Sequence, residues 1–167
     1  MKENILDATC GGRSIWHTDN KNRDDVLYID KREEEPGFTG QENRTFSIEP
    51  DEVQDFRDLP YDDSSFDLIV FDPPHVIREN GMQNLSGYID KSYGALHAET
   101  WQADLRNGFE ELFRVLEDGG VLIFKFANRA ADFREVLDLA PTDPLFGTMT
   151  DQDSNCENRF FVFQKNA

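Results

Sequence analysis

Short runs of consecutive apolar residues punctuate the chain at 4–9 (NILDAT), 26–30 (VLYID), 66–71 (FDLIVF) and 121–127 (VLIFKFA). A run that is apolar without alternation, such as Leu68, Ile69, Val70 and Phe71, suits a strand covered on both faces, the situation inside a parallel sheet. A different period follows Thr100: Trp101, Leu105, Phe109, Leu112, Phe113 and Leu116 recur at helical spacing as one apolar stripe, and Gly119 and Gly120 are expected to end that helix. A later helix with Phe133, Val136 and Leu137 inward is expected to stop at Pro141. The segments 144–147 (PLFG) and 160–165 (FFVFQK) read as closing strands, antiparallel because no helix lies between them. Elsewhere the pattern is thinner. Only a short helix, from Ser14, fits between the first two strands, a short strand is expected near Val53 to Phe56, and most of 33–50 reads as loop. Residues 76–100 show no period, contain Gly81, Gly87 and Gly94, and read as one long loop, the kind that is usually functional or disordered. Strands alternating with helices predict an α/β fold: an open, mostly parallel, Rossmann-like sheet with an antiparallel edge strand and right-handed crossovers.

The strand ends carry the candidate chemistry. The run at 66–71 meets Asp72, Pro73, Pro74 and His75, and the two prolines forbid further pairing because they lack amide hydrogens. In open α/β sheets ligands bind beyond the carboxyl ends of the strands, which puts Asp72 to His75 on the working edge; the plainer alternative is a strand followed by an Asp-Pro turn. The first run ends at Cys10, Gly11 and Gly12, and the second ends on Asp30.

At 167 residues the chain is long enough to bury a core without disulfide or metal staples, and residues 1–167 read as a single domain. No signal peptide is expected at the start and no apolar run approaches a bilayer span. Cys10 and Cys156 lie far apart without metal-type spacing, which favours a reducing, cytoplasmic setting, so the Asn-x-Ser/Thr matches at Asn43 and Asn84 are taken as chance. His17, His75 and His97 lack ligand spacing, so no metal site is expected. Neither Gly-x-x-x-x-Gly-Lys nor Gly-x-Gly-x-x-Gly occurs. Charge is the unusual feature. Thirty-four acids against seventeen Lys and Arg give a net charge of -17, a surface that self-repels in dilute buffer and is better tolerated in salt. It reads as a halophilic signature or as an ordinary acidic protein, and it offers no basic footprint for nucleic acid.

Taken in order, ILDATCGG, VLYID, FDLIVFDPPH and FRVLEDGGVLIFK resemble the motifs of class I S-adenosylmethionine-dependent methyltransferases, and more narrowly the branch with an Asp-Pro-Pro-aromatic signature that methylates exocyclic amines of nucleobases. The resemblance touches most of residues 4–127. It implies S-adenosylmethionine as cofactor, held around Asp7, Cys10, Gly11 and Gly12, with Asp30 accepting both ribose hydroxyls and Asp55 facing the adenine amine beside an apolar wall at Phe56. Asp58 competes with Asp55 for that role, and Asp30 has the plainer reading of a solvated strand-end acid. Asp72 and the Pro73 carbonyl would accept from the substrate amine, freeing its lone pair to attack the methyl group in line. The chain departs from the family at two residues, and the segment after the first motif is also short. His75 stands where the family carries an aromatic residue that stacks on an extruded base, and it can stack, donate, or simply bond backbone in a turn. Arg13 stands where another glycine is usual, either reaching the cofactor carboxylate or answering surface acids. The implied acceptor is DNA before RNA, with residues 76–100 (Tyr88, Lys91, Tyr93, His97) as a substrate reader or a mere connector, and a protein partner as another source of specificity. A small-molecule acceptor and a non-catalytic subunit are the competing expectations, and no membrane partner is expected.

Overall fold

A computed structural model of the chain describes residues 4–41, 44–83, 85–147 and 157–166; Asn43, Asn84 and Cys156 lie outside them. Seven strands form one sheet in the order β3-β2-β1-β4-β7-β9-β8: β1 (Ile5–Asp7), β2 (Val26–Asp30), β3 (Glu52–Val53), β4 (Phe66–Phe71), β7 (Leu116–Ala127), β8 (Phe146–Gly147) and β9 (Asn158–Gln164). The first five of these in the sheet order run parallel, and β9 is antiparallel to both β7 and β8, as the closing segments predict. A second, two-stranded sheet pairs β5 (Ile77–Arg78) with β6 (Leu96–His97) around helix α1 (Gly87–Tyr93).

The unalternating runs are buried for the reason expected. β2 is buried at all five positions, and in β1 and β4 Leu6, Ile69 and Phe71 are fully covered. Helix α2 (Trp101–Val115) lays Trp101, Leu105, Phe109, Leu112 and Val115 against the sheet, where the Phe109 ring meets those of Phe71 and Phe124. Gly108 lies on the same face. A Cβ there would fall 2.5 Å from the Phe56 ring, so its lack of a side chain admits that ring to the core.

Five expectations require correction. Gly119 and Gly120 do not cap α2, which ends at Val115; they sit in a bulge inside β7, where the register with β4 jumps from Phe66–Leu116 to Leu68–Val121. Gly119 takes φ +81° there, and its amide and the Gly120 carbonyl are both bonded to Lys165, so the glycines serve a strand irregularity. Residues 76–100 are not one loop but β5, α1 and β6, elements too short to show a readable period. Between β1 and β2 the helix is a single 3-10 segment at Thr18–Asn22 instead of starting at Ser14. The third strand is only Glu52–Val53, and α3 (Phe133–Leu137) ends before Pro141 with Leu137 only partly buried. Among the described residues no helix is long and apolar enough to cross a membrane.

Replacing Gly108 by Ala tests the close packing. The gain in helix propensity is outweighed by the clash with Phe56, and urea denaturation is expected to show a loss of about 1–3 kcal/mol.

Candidate active site

The sheet order reverses between β1 and β4, because the chain builds outward from β1 to β3 and then returns to β1's other side. A crevice opens at such a switch point, beyond the carboxyl ends of the strands. Pairing of Asp7 with Val70 brings the turn after β1 beside the one after β4, and two bonds lock them: the Ala8 amide donates to the Val70 carbonyl (2.9 Å) and the Asp72 amide to Thr9 Oγ1 (2.8 Å). The cleft that results has a volume of about 580 Å³, and its wall includes Gly11, Gly12, Asp30, Phe56, Asp72 and His75.

The β1 side is built from backbone. The Cys10 amide bonds the Ile29 carbonyl, carrying the turn over the end of β2, and the Gly11 amide then donates to Asp30 Oδ2 (3.1 Å). Gly11 takes φ +49° with open space where a Cβ would stand, a backbone cradle accessible to a ligand. Gly12 is small for another reason: a Cβ there would lie 2.3 Å from the Phe46 ring. Asp30 Oδ1 accepts from the Arg32 amide (2.9 Å) and Arg32 Nε (3.3 Å), which leaves a free lone pair on Oδ2 and one long bond able to yield to a ligand hydroxyl. The Cys10 thiol lines the cleft, and burial, reinforced by Asp7 and Asp30, pushes its pKa up, so it stays a neutral thiol.

Asp7 lies beneath the turn, fully buried and outside the cleft wall. Its oxygens accept from Trp16 Nε1 (2.7 Å) and the Thr9 amide (3.2 Å). Burial away from any cation outweighs those two bonds and pushes its pKa up to about 7. Asp55 also lies outside the wall: its carboxylate is held bidentately by Arg57 (2.9 and 2.6 Å), which bonds Asp104 as well. Burial acts to raise the Asp55 pKa, but the Arg57 hydrogen bonds and charge win and hold it low. Its neighbours Phe56 and Arg57 do line the cleft, while Asp58 gives its amide to the Asp55 carbonyl. Arg13 answers acids and carbonyls instead of the cleft: it bonds Asp51, Asn22 and the carbonyls of Lys21 and Glu49, with its guanidinium 3.9 Å from the Tyr28 ring centre.

The β4 side is a charged cluster. Because β7 pairs Phe124 with Phe71, the next residue, Lys125, stands beside Asp72, and its Nζ lies 3.0 and 2.8 Å from the two carboxylate oxygens. His75 Nε2 approaches Asp72 Oδ1 to 2.9 Å, yet is out of line for a hydrogen bond and has no other partner among the described residues; the ring meets Phe126 edge-on. Sequence reasoning missed Lys125. Its signal was available in VLIFKFA, because a lone lysine inside a buried apolar strand requires a counter-charge.

Residues 76–100 roof the cleft. Buried Asp90 is gripped by Arg78 (2.8 and 3.1 Å), and Arg32 bonds the Lys91 and Ser92 carbonyls, tying α1 to the Asp30 side. Tyr93 and His97 line the cleft, whereas Tyr88 faces a neighbouring groove and Lys91 lines neither. Ser92 Oγ, in the roof, is buried without a partner among the described residues.

No protein-family profile matches the sequence, and no curated protein does either. Solved structures do match in shape. The PH0226 protein from Pyrococcus horikoshii OT3 shares 17% identity at a TM-score of 0.58, over 97% of this chain and 81% of that one. A SAM-dependent methyltransferase from Methanosarcina mazei shares 15% at 0.53, over 97% and 92%. The chain has the fold of SAM-dependent methyltransferases. The N-methyltransferase NodS from Bradyrhizobium japonicum WM9 adds 16% identity at 0.51, over 98% and 84%. At these identities the likeness establishes the methyltransferase fold and leaves the chemistry to the residues of the cleft.

The state of Asp7 yields a stability prediction. Its folded pKa is raised, so its contribution to stability is fully present below the unfolded value of about 3.9 and is lost as pH rises to about 7. Urea titrations should show the wild type losing stability relative to Asp7→Asn by up to about 1.4 kcal/mol per pH unit across that window. A pH-independent difference would show that Asp7 titrates normally.

Proposed function

We propose that the chain is an S-adenosylmethionine-dependent methyltransferase, a single domain over residues 1–167, that transfers a methyl group to an exocyclic amine of a nucleobase, most simply in DNA. The observation that carries this reading is the meeting, in one cleft, of the open Gly11–Asp30 cradle with the Asp72–Lys125–His75 cluster. The donor set suits the cofactor: a backbone cradle at Gly11, a carboxylate with a free lone pair at Asp30, and an apolar wall at Phe56. Asp7 supports the cradle from behind, and Asp55 acts through Arg57. When bound, S-adenosylmethionine supplies a methyl group already activated by a positively charged sulfur, so the protein's part is chiefly orientation.

Lys125 bears on the kind of amine. With its ammonium on Asp72, the cluster carries little net negative charge and gives an alkylammonium no advantage. A neutral, ring-conjugated amine fits better. Asp72 can accept one of its hydrogens and turn the lone pair out of the ring plane. Asp72, which already accepts from the amine, then takes up the proton that the amine sheds. A small-molecule acceptor is the second reading, supported by the aliphatic share of the roof, where Met82, Ile89 and Leu96 line the cleft.

Calorimetric titration of S-adenosylmethionine and its demethylated product, at low and at molar salt, is expected to show micromolar binding. Absence of binding at both salts by the folded protein would favour a non-catalytic subunit. In a methyl-transfer assay Asp72→Ala should lower turnover by about 10²-fold or more and leave cofactor affinity nearly unchanged. Normal turnover in that variant would refute the amine-positioning role.

A further inference from the structure

A second concavity of about 490 Å³ lies next to the cleft and shares Gly12 with it. It is lined by Lys21, Arg44, Thr45, Phe46, Ser47 and Tyr88, with no carboxylate in its wall among the described residues. That composition is unexpected in a chain with twice as many acids as bases. Seven of the eleven arginines are paired with carboxylates, whereas Lys21 and Arg44 form no ion pair among the described residues. Lys21 is half-buried, and Arg44 lies with its guanidinium 4.3 Å from the Tyr88 ring centre. The acids that follow in the same loop are already engaged, Glu49 by the Ser47 hydroxyl (2.6 Å) and Asp51 by Arg13 (3.1 Å). Two unmatched cations, the Thr45 hydroxyl and a ring face are the donors and the stacking surface that a nucleotide phosphate and its base require.

The groove adjoins the cleft. Phe46 packs on Gly12 and meets the rings of Tyr88 and Tyr93; Tyr93 lines the cleft and Tyr88 the groove. This aromatic ridge separates the two concavities.

We propose that the groove binds a backbone phosphate of a single-stranded stretch of the acceptor nucleic acid while the target base occupies the neighbouring cleft. Lys21 and Arg44 hold the phosphate, and Tyr88 stacks on the adjoining nucleotide. This rests on the nucleobase-methyltransferase reading. It also accounts for how a chain of net charge -17 engages a polyanion: the attraction comes from a local pair of unmatched cations instead of a basic face.

The test is fluorescence anisotropy of a labelled single-stranded DNA dodecamer with the full chain over a salt series, run beside calorimetry with S-adenosylmethionine. Lys21→Gln/Arg44→Gln should weaken the oligonucleotide at least tenfold and flatten the log–log salt slope by about 1.4, the loss of two contacts, while cofactor affinity is unchanged. Arg44→Lys should restore part of the loss. Arg106→Gln/Arg134→Gln removes the same charge from residues that line neither concavity and should leave binding as in the wild type. Equal weakening by that control pair would overturn the groove in favour of general attraction. Cofactor binding without oligonucleotide binding would overturn the groove alone, and competition by inorganic phosphate without oligonucleotide binding would assign it to a small phosphorylated ligand. Loss of cofactor binding in the wild type would instead remove the reading on which the proposal rests.

Discussion

The parallel pairing of β1 with β4 is the constraint on which the rest of the site depends. Three residue pairs, Ile5–Leu68, Leu6–Ile69 and Asp7–Val70, fix how far each strand extends before its chain leaves the sheet. A shift by one residue would exchange the side chains presented to the two covered faces and break the Ala8–Val70 and Asp72–Thr9 bonds, so side-chain fit and those bonds set the register. That register, sealed by the Asp72 amide on Thr9, decides that the glycine turn and the Asp-Pro-Pro-His turn face one cleft. The β4–β7 register then places Lys125 beside Asp72.

Charge pairing makes the cleft feasible in so acidic a chain. Asp30, Asp55 and Asp72 come from three strand ends that converge on one region, and uncompensated they would repel one another. Each instead has its own cation: Arg32, Arg57 and Lys125. The pairs also immobilise side chains whose direction matters to a ligand. Asp7 is the exception, buried on two neutral donors with no cation, and its raised pKa is the consequence.

The roof illustrates a different economy of structure. Two strands of two residues and a seven-residue helix have little core of their own. They are held by a bidentate ion pair between buried Asp90 and the exposed Arg78, and by Arg32, which grips both Asp30 and the carbonyls at the end of α1. One arginine therefore joins the proposed ribose site to the proposed acceptor roof.

Most of the main sheet was legible in the sequence. Unalternating runs specify covered parallel strands because both faces must be buried, and prolines after Phe71 specify where pairing stops because they carry no amide hydrogen. The stripe from Trp101 specified α2, and the strand-end residues Gly11, Asp30, Asp72 and His75 were legible because a strand's end is marked by what interrupts it. Tertiary structure decided what no local pattern encodes. Lys125 reaches Asp72 across two strands, the double glycine serves a bulge whose partner Lys165 is distant in sequence, and Arg13, equally suited on paper to a cofactor carboxylate, turns to Asp51. The short elements of residues 76–100 escaped notice because a helix of two turns held by ion pairs needs no apolar stripe. Periodicity records which face is buried, whereas the partner of a charged side chain is settled only when distant segments meet.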